Sequence, residues 1–346
     1  MDKIFVAIFT PEFLFSVIRV STPLILGAMA ALICNRGGML HIAFEGIMLS
    51  AAFLGMLTSA LTQNVLIGVL GAIAGGLLIS MMLGYFHLVL NSDRTLTGIA
   101  LNTFASAGTV FALYLLVQDK GTSSSLPSLV VPNLDIPILK DIPVLGTALS
   151  GHNALTYVAF LTVFLTYIIV FRTPLGLRIR TVGENPNAAA SVGIDVMKVR
   201  FITLAISAVV ASLAGAYMSM GYLSWFSRDM VAGRGFMAIA AQNLGAALPL
   251  PSFLAALAFG AVTALANVLQ TLNMPSEIIQ AMPYVATLVG LGFLDMQRRK
   301  EMKNGQKQVW HMPRRERQYD FKPLQFLFKI IGKPCGCQCF TTYFAR

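Results

Sequence analysis

The sequence predicts an all-α, polytopic membrane protein of about eight or nine crossings, and three observations support this. Of its 346 residues 56% are hydrophobic and only 12% charged, with a mean hydropathy of +0.72, whereas soluble domains carry about 25% charged residues. Apolar stretches near the roughly 20 residues needed to span a bilayer as a helix recur along most of the chain. None shows the ten-residue alternation of a barrel strand, and lipid accepts only helices or closed barrels.

The stretches lie at 12–33, 40–60, 65–90, 95–117, 153–171, 201–223, 235–248, 251–272 and 279–296. The first is too long and too poorly flanked for a cleaved signal peptide and reads as a retained span. The seventh is short enough to be a half-helix or a re-entrant piece. Together they define a transmembrane domain over 1–296, followed by a tail over 297–346.

The formal charge of +10 belongs to that tail. Residues 1–296 carry 13 Lys and Arg against 12 Asp and Glu, while 297–346 carry 12 against 3. A cytoplasmic, membrane-proximal tail explains this better than nucleic-acid binding. Its composition from Gln297 onward cannot bury enough apolar surface to fold alone. Cys335, Cys337 and Cys339 crowd its end and Cys34 stands apart; with no His at ligand spacing, neither a disulfide framework nor a metal site is indicated.

Cationic short loops set the orientation. The 172–200 connection holds Arg172, Arg178, Arg180, Lys198 and Arg200, so it and the tail are expected in the cytoplasm. The 118–152 connection balances Lys120 and Lys140 against Asp119, Asp135 and Asp141 and carries four prolines, so it is expected outside. Counting crossings backward puts the N-terminus outside.

Glu45 is the one charged residue between Arg36 and Asp93, and an acid within a span marks a candidate functional site. His41, four residues earlier, could pair with it on one helix face. Asn102 within the fourth stretch and Gln242 and Asn243 within the seventh place amides in the membrane. They suit a polar ligand, although helix-to-helix bonding is the commoner role of such amides. Arg234-Gly235-Phe236-Met237 echoes Arg36-Gly37-Gly38-Met39; glycine-interrupted segments at matching places suggest two related halves with a site between them. No phosphate loop, metalloprotease helix or serine elbow is present, so no catalytic residue is indicated and the chain reads as a non-enzyme.

The 172–200 loop contains FRTPLGLRIRTVGENPNAAASVGIDVMKVR. Asn185 can cap a helix that begins at Pro186, and Gly193 can end it in a left-handed turn. A short cytoplasmic helix with a small-residue face suits docking into a cleft on a soluble partner.

At this loop the sequence resembles the permease subunits of bacterial ABC importers, the superfamily that serves branched-chain amino acids, ribose and nucleosides. Three more segments resemble its nucleoside and simple-sugar branch: NRGGMLHIAFEGIMLSAAF, TLTGIALNTFA and GYLSWFSRDMVAGRGFMAIAA. His41 stands where that branch usually has Asn, and QNLGAALP replaces its usual I-F-G-x-W-x-P.

The resemblance implies a multi-pass inner-membrane permease that moves nucleosides or a related sugar by alternating access. It implies that Glu45, His41, Asn102, Gln242 and Asn243 belong to the substrate pathway. It also implies that Arg178, Gly183, Glu184, Asn185, Pro186, Ala188, Ala189, Gly193 and Asp195 form the coupling surface. The chain itself would bind no cofactor, with ATP held by partner ATP-binding subunits. An extracytoplasmic solute-binding protein and a second permease, a copy or a homologue, would complete the assembly. A stand-alone secondary transporter or channel, with Glu45 as a proton or cation site, is the alternative.

Overall fold

A backbone inside hydrocarbon has no water to bond, so each crossing must satisfy its own N–H and C=O groups. The computed structural model, which describes residues 10–134 and 150–270 and scattered positions between 282 and 296, meets this requirement with helices. They are α1 Pro11–Arg36, α2 Phe44–Thr62, α3 Val65–Gly84 with a π-helical extension Tyr85–Val89, α4 Arg94–Val117, α5 Ala154–Arg172, α6 Pro174–Glu184, α7 Pro186–Ser191, α8 Val196–Ala216 with a π-helical extension Tyr217–Tyr222, α9 Arg234–Leu244 and α10 Pro249–Gln270.

Among the described residues, α1 to α5, α8 and α10 are the seven helices long and apolar enough to span a bilayer. Their limits fall close to those expected from hydropathy. The expected ninth stretch, 279–296, and the tail fall outside the continuously described residues. The chain divides into two units, Met1–Leu291 and Gly292–Arg346, and α1 to α10 all belong to the first.

α1 is the central post. Its most apolar window is 83% buried inside the protein, against 22% for α4, so α1 meets other helices on all sides while α4 keeps most of its surface outward. Pro23 lies within α1. Proline has no N–H to give the carbonyl four residues back, which here is Arg19. The Tyr217 hydroxyl donates to that oxygen at 3.0 Å, so the extension of α8 supplies the bond that α1 lacks.

The helix ends gather in two groups. At one, Arg94 Nη1 donates to the Gly38 carbonyl at 2.6 Å, tying the start of α4 to the turn after α1. At the other, the loop after α4 folds back over the bundle. There Leu129 N–H donates to Ser59 Oγ at 3.2 Å, and Val131 N–H to the Met220 carbonyl at 2.8 Å. This loop also holds a two-stranded antiparallel pair, β1 Asn133–Leu134 and β2 His152–Asn153, with Asn133 opposite Asn153. The hydropathy pattern predicts no strands; these are two residues long and lie in the connection, not in a span.

The segment from Leu223 to Gly233 is not helical. It starts at the second group of ends, where Phe226 N–H donates to Ser123 Oγ at 2.8 Å. Phe226 then packs edge-on against Phe53 with ring centres 5.3 Å apart. Gly233 reaches the foot of α2, α9 follows as far as Leu244, and in the turn after it the Ala247 carbonyl accepts from Arg36 Nε at 2.9 Å, at the first group of ends. The short seventh stretch is therefore the helical half of an irregular run from one end of the bundle to the other. Irregular backbone at such depth is tolerated only where protein or a cavity surrounds it.

Candidate functional site

The turn between α1 and α2 follows from its two glycines. Gly38 takes φ of +68°, which a side chain would disfavour, and the N–H of Met39 closes back on the Cys34 carbonyl at 2.8 Å. α2 then begins at Phe44 with Ala43 before it, a residue whose side chain cannot cap. The first N–H groups of a helix need partners, and Asn102 of α4 supplies one. Its Oδ1 accepts from Gly46 N–H at 2.8 Å while its Nδ2 donates to the Ile42 carbonyl at 3.0 Å.

α9 has the same deficit, because Gly233 precedes it and offers no side chain. Glu45 remedies it from α2. Its Oε1 accepts from Gly233 N–H at 2.7 Å and its Oε2 from Gly235 N–H at 2.8 Å. A carboxylate is favoured beside helix N-termini, and Glu45 lies at two of them, its own and that of α9. Gly235 is required by the same closeness: a Cβ there would lie 2.6 Å from the Glu45 nitrogen.

His41 does not pair with Glu45. It lies in the turn before α2 starts, so four-residue helical spacing does not apply to it. Its ring is buried and stacks on Phe44 with centres 4.4 Å apart. Nε2 lies 3.7 Å from Cys34 Sγ, and Nδ1 has no hydrogen-bond partner. Gln242 of α9 is fully buried with neither amide atom hydrogen-bonded, whereas Asn243 is exposed. Of the five candidate pathway residues, Glu45 and Asn102 meet on one turn of α2, His41 lies just before that turn, and the two α9 amides lie apart.

The 172–200 connection packs against the same turn. Thr173 Oγ1 accepts from Gly176 N–H at 3.0 Å and starts α6, which ends beside Arg36 and Gly38. Gly183 is forced there, since a Cβ would collide with the Arg36 carbonyl oxygen. Asn185 Oδ1 accepts from the N–H groups of Asn187 and Ala188, both at 3.1 Å, and Pro186 opens α7. Gly193, at φ of +83°, follows the helix, as its place in the sequence suggests.

Ala189 is buried with Ile179, Val182 and Val199 in a small cluster that joins α6, α7 and α8. Arg178, Glu184 and Ala188 are exposed, and Val192 is 74% exposed. Asp195 caps α8 by accepting from Lys198 N–H at 3.1 Å. That bond, with the Lys198 side chain 3.1 Å away, holds its carboxyl below the usual range.

Four segments separated by up to 190 residues thus meet around one turn: 35–46, 98–102, 183–185 and 233–236. All four stand out in the sequence. Arg94 and Tyr217 do not, because they bond backbone far away along the chain and leave no local pattern.

Residues 13–290 match the family described as branched-chain amino acid transport system / permease component. The guanosine ABC transporter permease protein NupQ of Bacillus subtilis is 32% identical over 286 residues, covering 79% of this chain and 89% of that one. The nucleoside ABC transporter permease protein NupC of Lactococcus lactis is also 32% identical over 286 residues, covering 78% and 88%.

Proposed function

This chain belongs to the branched-chain amino acid transport system permease family, and from that premise we propose that it carries nucleosides into the cell. It is a multi-pass membrane permease subunit of an ATP-driven ABC importer. The observation that supports nucleosides over other solutes of this superfamily is the identity to two permeases named for guanosine and nucleosides, sustained over almost four-fifths of the chain.

In this reading the 172–200 connection and the tail face the cytoplasm, and the 118–152 connection faces outward. The run 223–247 and the stretch 279–296 complete nine crossings. α7 with its exposed Ala188, and Val192 just after it, docks on an ATP-binding subunit, which alone holds ATP. Closure of that subunit displaces α6 and α7. Because Gly183 abuts the turn at Arg36 and Gly38, the displacement reaches α2, and through Glu45 and Asn102 it reaches α9 and α4. These residues act by positioning helices and need not touch the solute.

Reconstitution into proteoliposomes with its ATP-binding subunits, its partner permease and its solute-binding protein tests the reading. ATP-dependent accumulation of tritiated guanosine, lost on Ala188→Arg, is the expected result. Accumulation by the chain alone, driven by a proton gradient, would overturn it in favour of a secondary transporter.

A further inference from the structure

Resting on the nucleoside reading, we infer that the outward-facing stripe of α4, closed at one end by Lys120 and Arg228, is a subsite for a purine nucleoside. A cavity of about 640 Å³ runs along this stripe. Its wall includes Thr103, Ser106, Ala107, Phe111 and Tyr114, whose spacings of three, four and eight residues place them on one helical face. The cavity is also lined by Lys120 and Arg228.

Hydrogen bonds build the closed end. Arg228 N–H donates to the Gly121 carbonyl at 2.8 Å, and Thr122 bridges Ser227, so the two cations stand on neighbouring strands of chain. Asp119 is turned to its own loop, where its Oδ1 accepts from Gly121 N–H at 2.8 Å. Lys120 Nζ lies 5.1 Å from the centre of the Tyr114 ring. Neither cation has a carboxylate within ion-pair distance among the described residues.

Thr103 Oγ1 donates back to the Ile99 carbonyl at 3.1 Å and keeps its acceptor lone pairs for a partner. The face places hydroxyls at Thr103 and Ser106, aromatic rings at Phe111 and Tyr114, and a guanidinium beyond them. From residue 103 to 114 the helix rises about 16 Å, so ligand halves of different chemistry are met in sequence. A ribose finds hydroxyl partners, a base finds rings on which to stack, and the acceptor edge of a 6-oxopurine such as guanine finds an arginine, which can bond O6 and N7 together. A free sugar has no flat heteroaromatic base to lay on the rings, and a branched-chain amino acid has neither a base nor a ribose diol, so a nucleoside uses hydroxyls, rings and arginine together. The cavity is open along one side, and α4 is the span least covered by this chain, so a second permease can supply the facing wall.

The test is photolabelling of the complete reconstituted importer with 8-azidoguanosine, with labelled peptides mapped by mass spectrometry. The expected label falls within residues 103–120, is protected by excess guanosine and not by ribose, and is lost in Ala107→Trp. In Arg228→Gln, an exposed position where folding is not at risk, the KM for guanosine rises about tenfold while kcat changes little. Label confined to other helices, or guanosine kinetics unchanged in both variants, would overturn the inference and leave the nucleoside reading intact. Stronger protection by GMP than by guanosine would overturn it as well, since the cations would then be reading phosphate. Failure of the wild-type assembly to transport guanosine would defeat both readings.

Discussion

Glu45 caps a helix that lies 190 residues further along the chain: its Oε2 accepts from the N–H of Gly235 at 2.8 Å, and its Oε1 holds Gly233 beside it. An acceptor bonded twice in a mostly buried place is expensive to remove, because each N–H left without a partner costs about 1–3 kcal/mol. Glu45→Ala should therefore lower stability by about 3 kcal/mol and abolish uptake. Glu45→Gln keeps one acceptor oxygen and should fall between. Thermal unfolding in mild detergent checks both, and an Ala variant that melts with the wild type would show that the bonds carry little weight.

Asn102 does for α2 what Glu45 does for α9, and Gly46 and Glu45 are neighbours. Losing a cap costs about 1 kcal/mol, so Asn102→Ala alone should destabilise modestly. In the double variant with Glu45→Ala, the shared first turn of α2 should make the losses non-additive by at least about 0.5 kcal/mol. Simple additivity in chemical denaturation would mean that the two caps act independently.

Ala188 and Ala189 are neighbours in sequence with opposite surroundings, the first exposed and the second 3% exposed. Ala188→Arg should leave melting within about 0.5 kcal/mol of wild type and still prevent co-purification of the ATP-binding subunit. Ala189→Asp places a carboxylate in the cluster with Ile179 and Val182 and should destabilise by several kcal/mol. If Ala188→Arg retains the ATP-binding subunit, α7 is not the docking element.

Burial pushes His41, in the turn between α1 and α2, down to about 3, so the folded protein holds it neutral at neutral pH. The unfolded chain takes up its proton near pH 6.5. Below that pH the unfolded state binds one more proton than the folded state, and stability falls by about 1.4 kcal/mol per pH unit until pH 3. Above pH 6.5 the effect vanishes. His41→Asn should remove this contribution, so the gap between wild type and variant should change across the window, measured by unfolding at pH 4, 5, 6 and 7. Parallel curves would show that His41 titrates freely.

The spans are legible in the sequence because lipid imposes a length and a composition that no tertiary contact overrides. α7 is legible for a different reason: the cap of Asn185, the start at Pro186 and the turn at Gly193 are all local. The partners of Glu45 and Asn102 are hidden because both residues cap helices other than their own, and only packing brings those termini near. The expected His41 pairing fails because α2 begins at Phe44, later than the hydrophobic pattern suggests. The α4 cavity is equally hidden, since Arg228 joins Lys120 through backbone bonds between two distant loops.

The contact between Tyr217 and Arg19 allows a prediction that separates structure from coincidence. Pro23 leaves the Arg19 carbonyl without its helical donor, and the Tyr217 hydroxyl supplies one at 3.0 Å. Tyr217→Phe should then leave a poorly satisfied, part-buried carbonyl, at a cost of about 1–3 kcal/mol. Pro23→Ala restores an N–H four residues after Arg19, so in that background the same Tyr217→Phe change should cost much less. The double-mutant cycle, read by thermal unfolding, should give a coupling of at least about 1 kcal/mol. Equal losses in both backgrounds would mean that the hydroxyl stabilises the protein through some other contact, and that the proline in α1 is tolerated without help from α8.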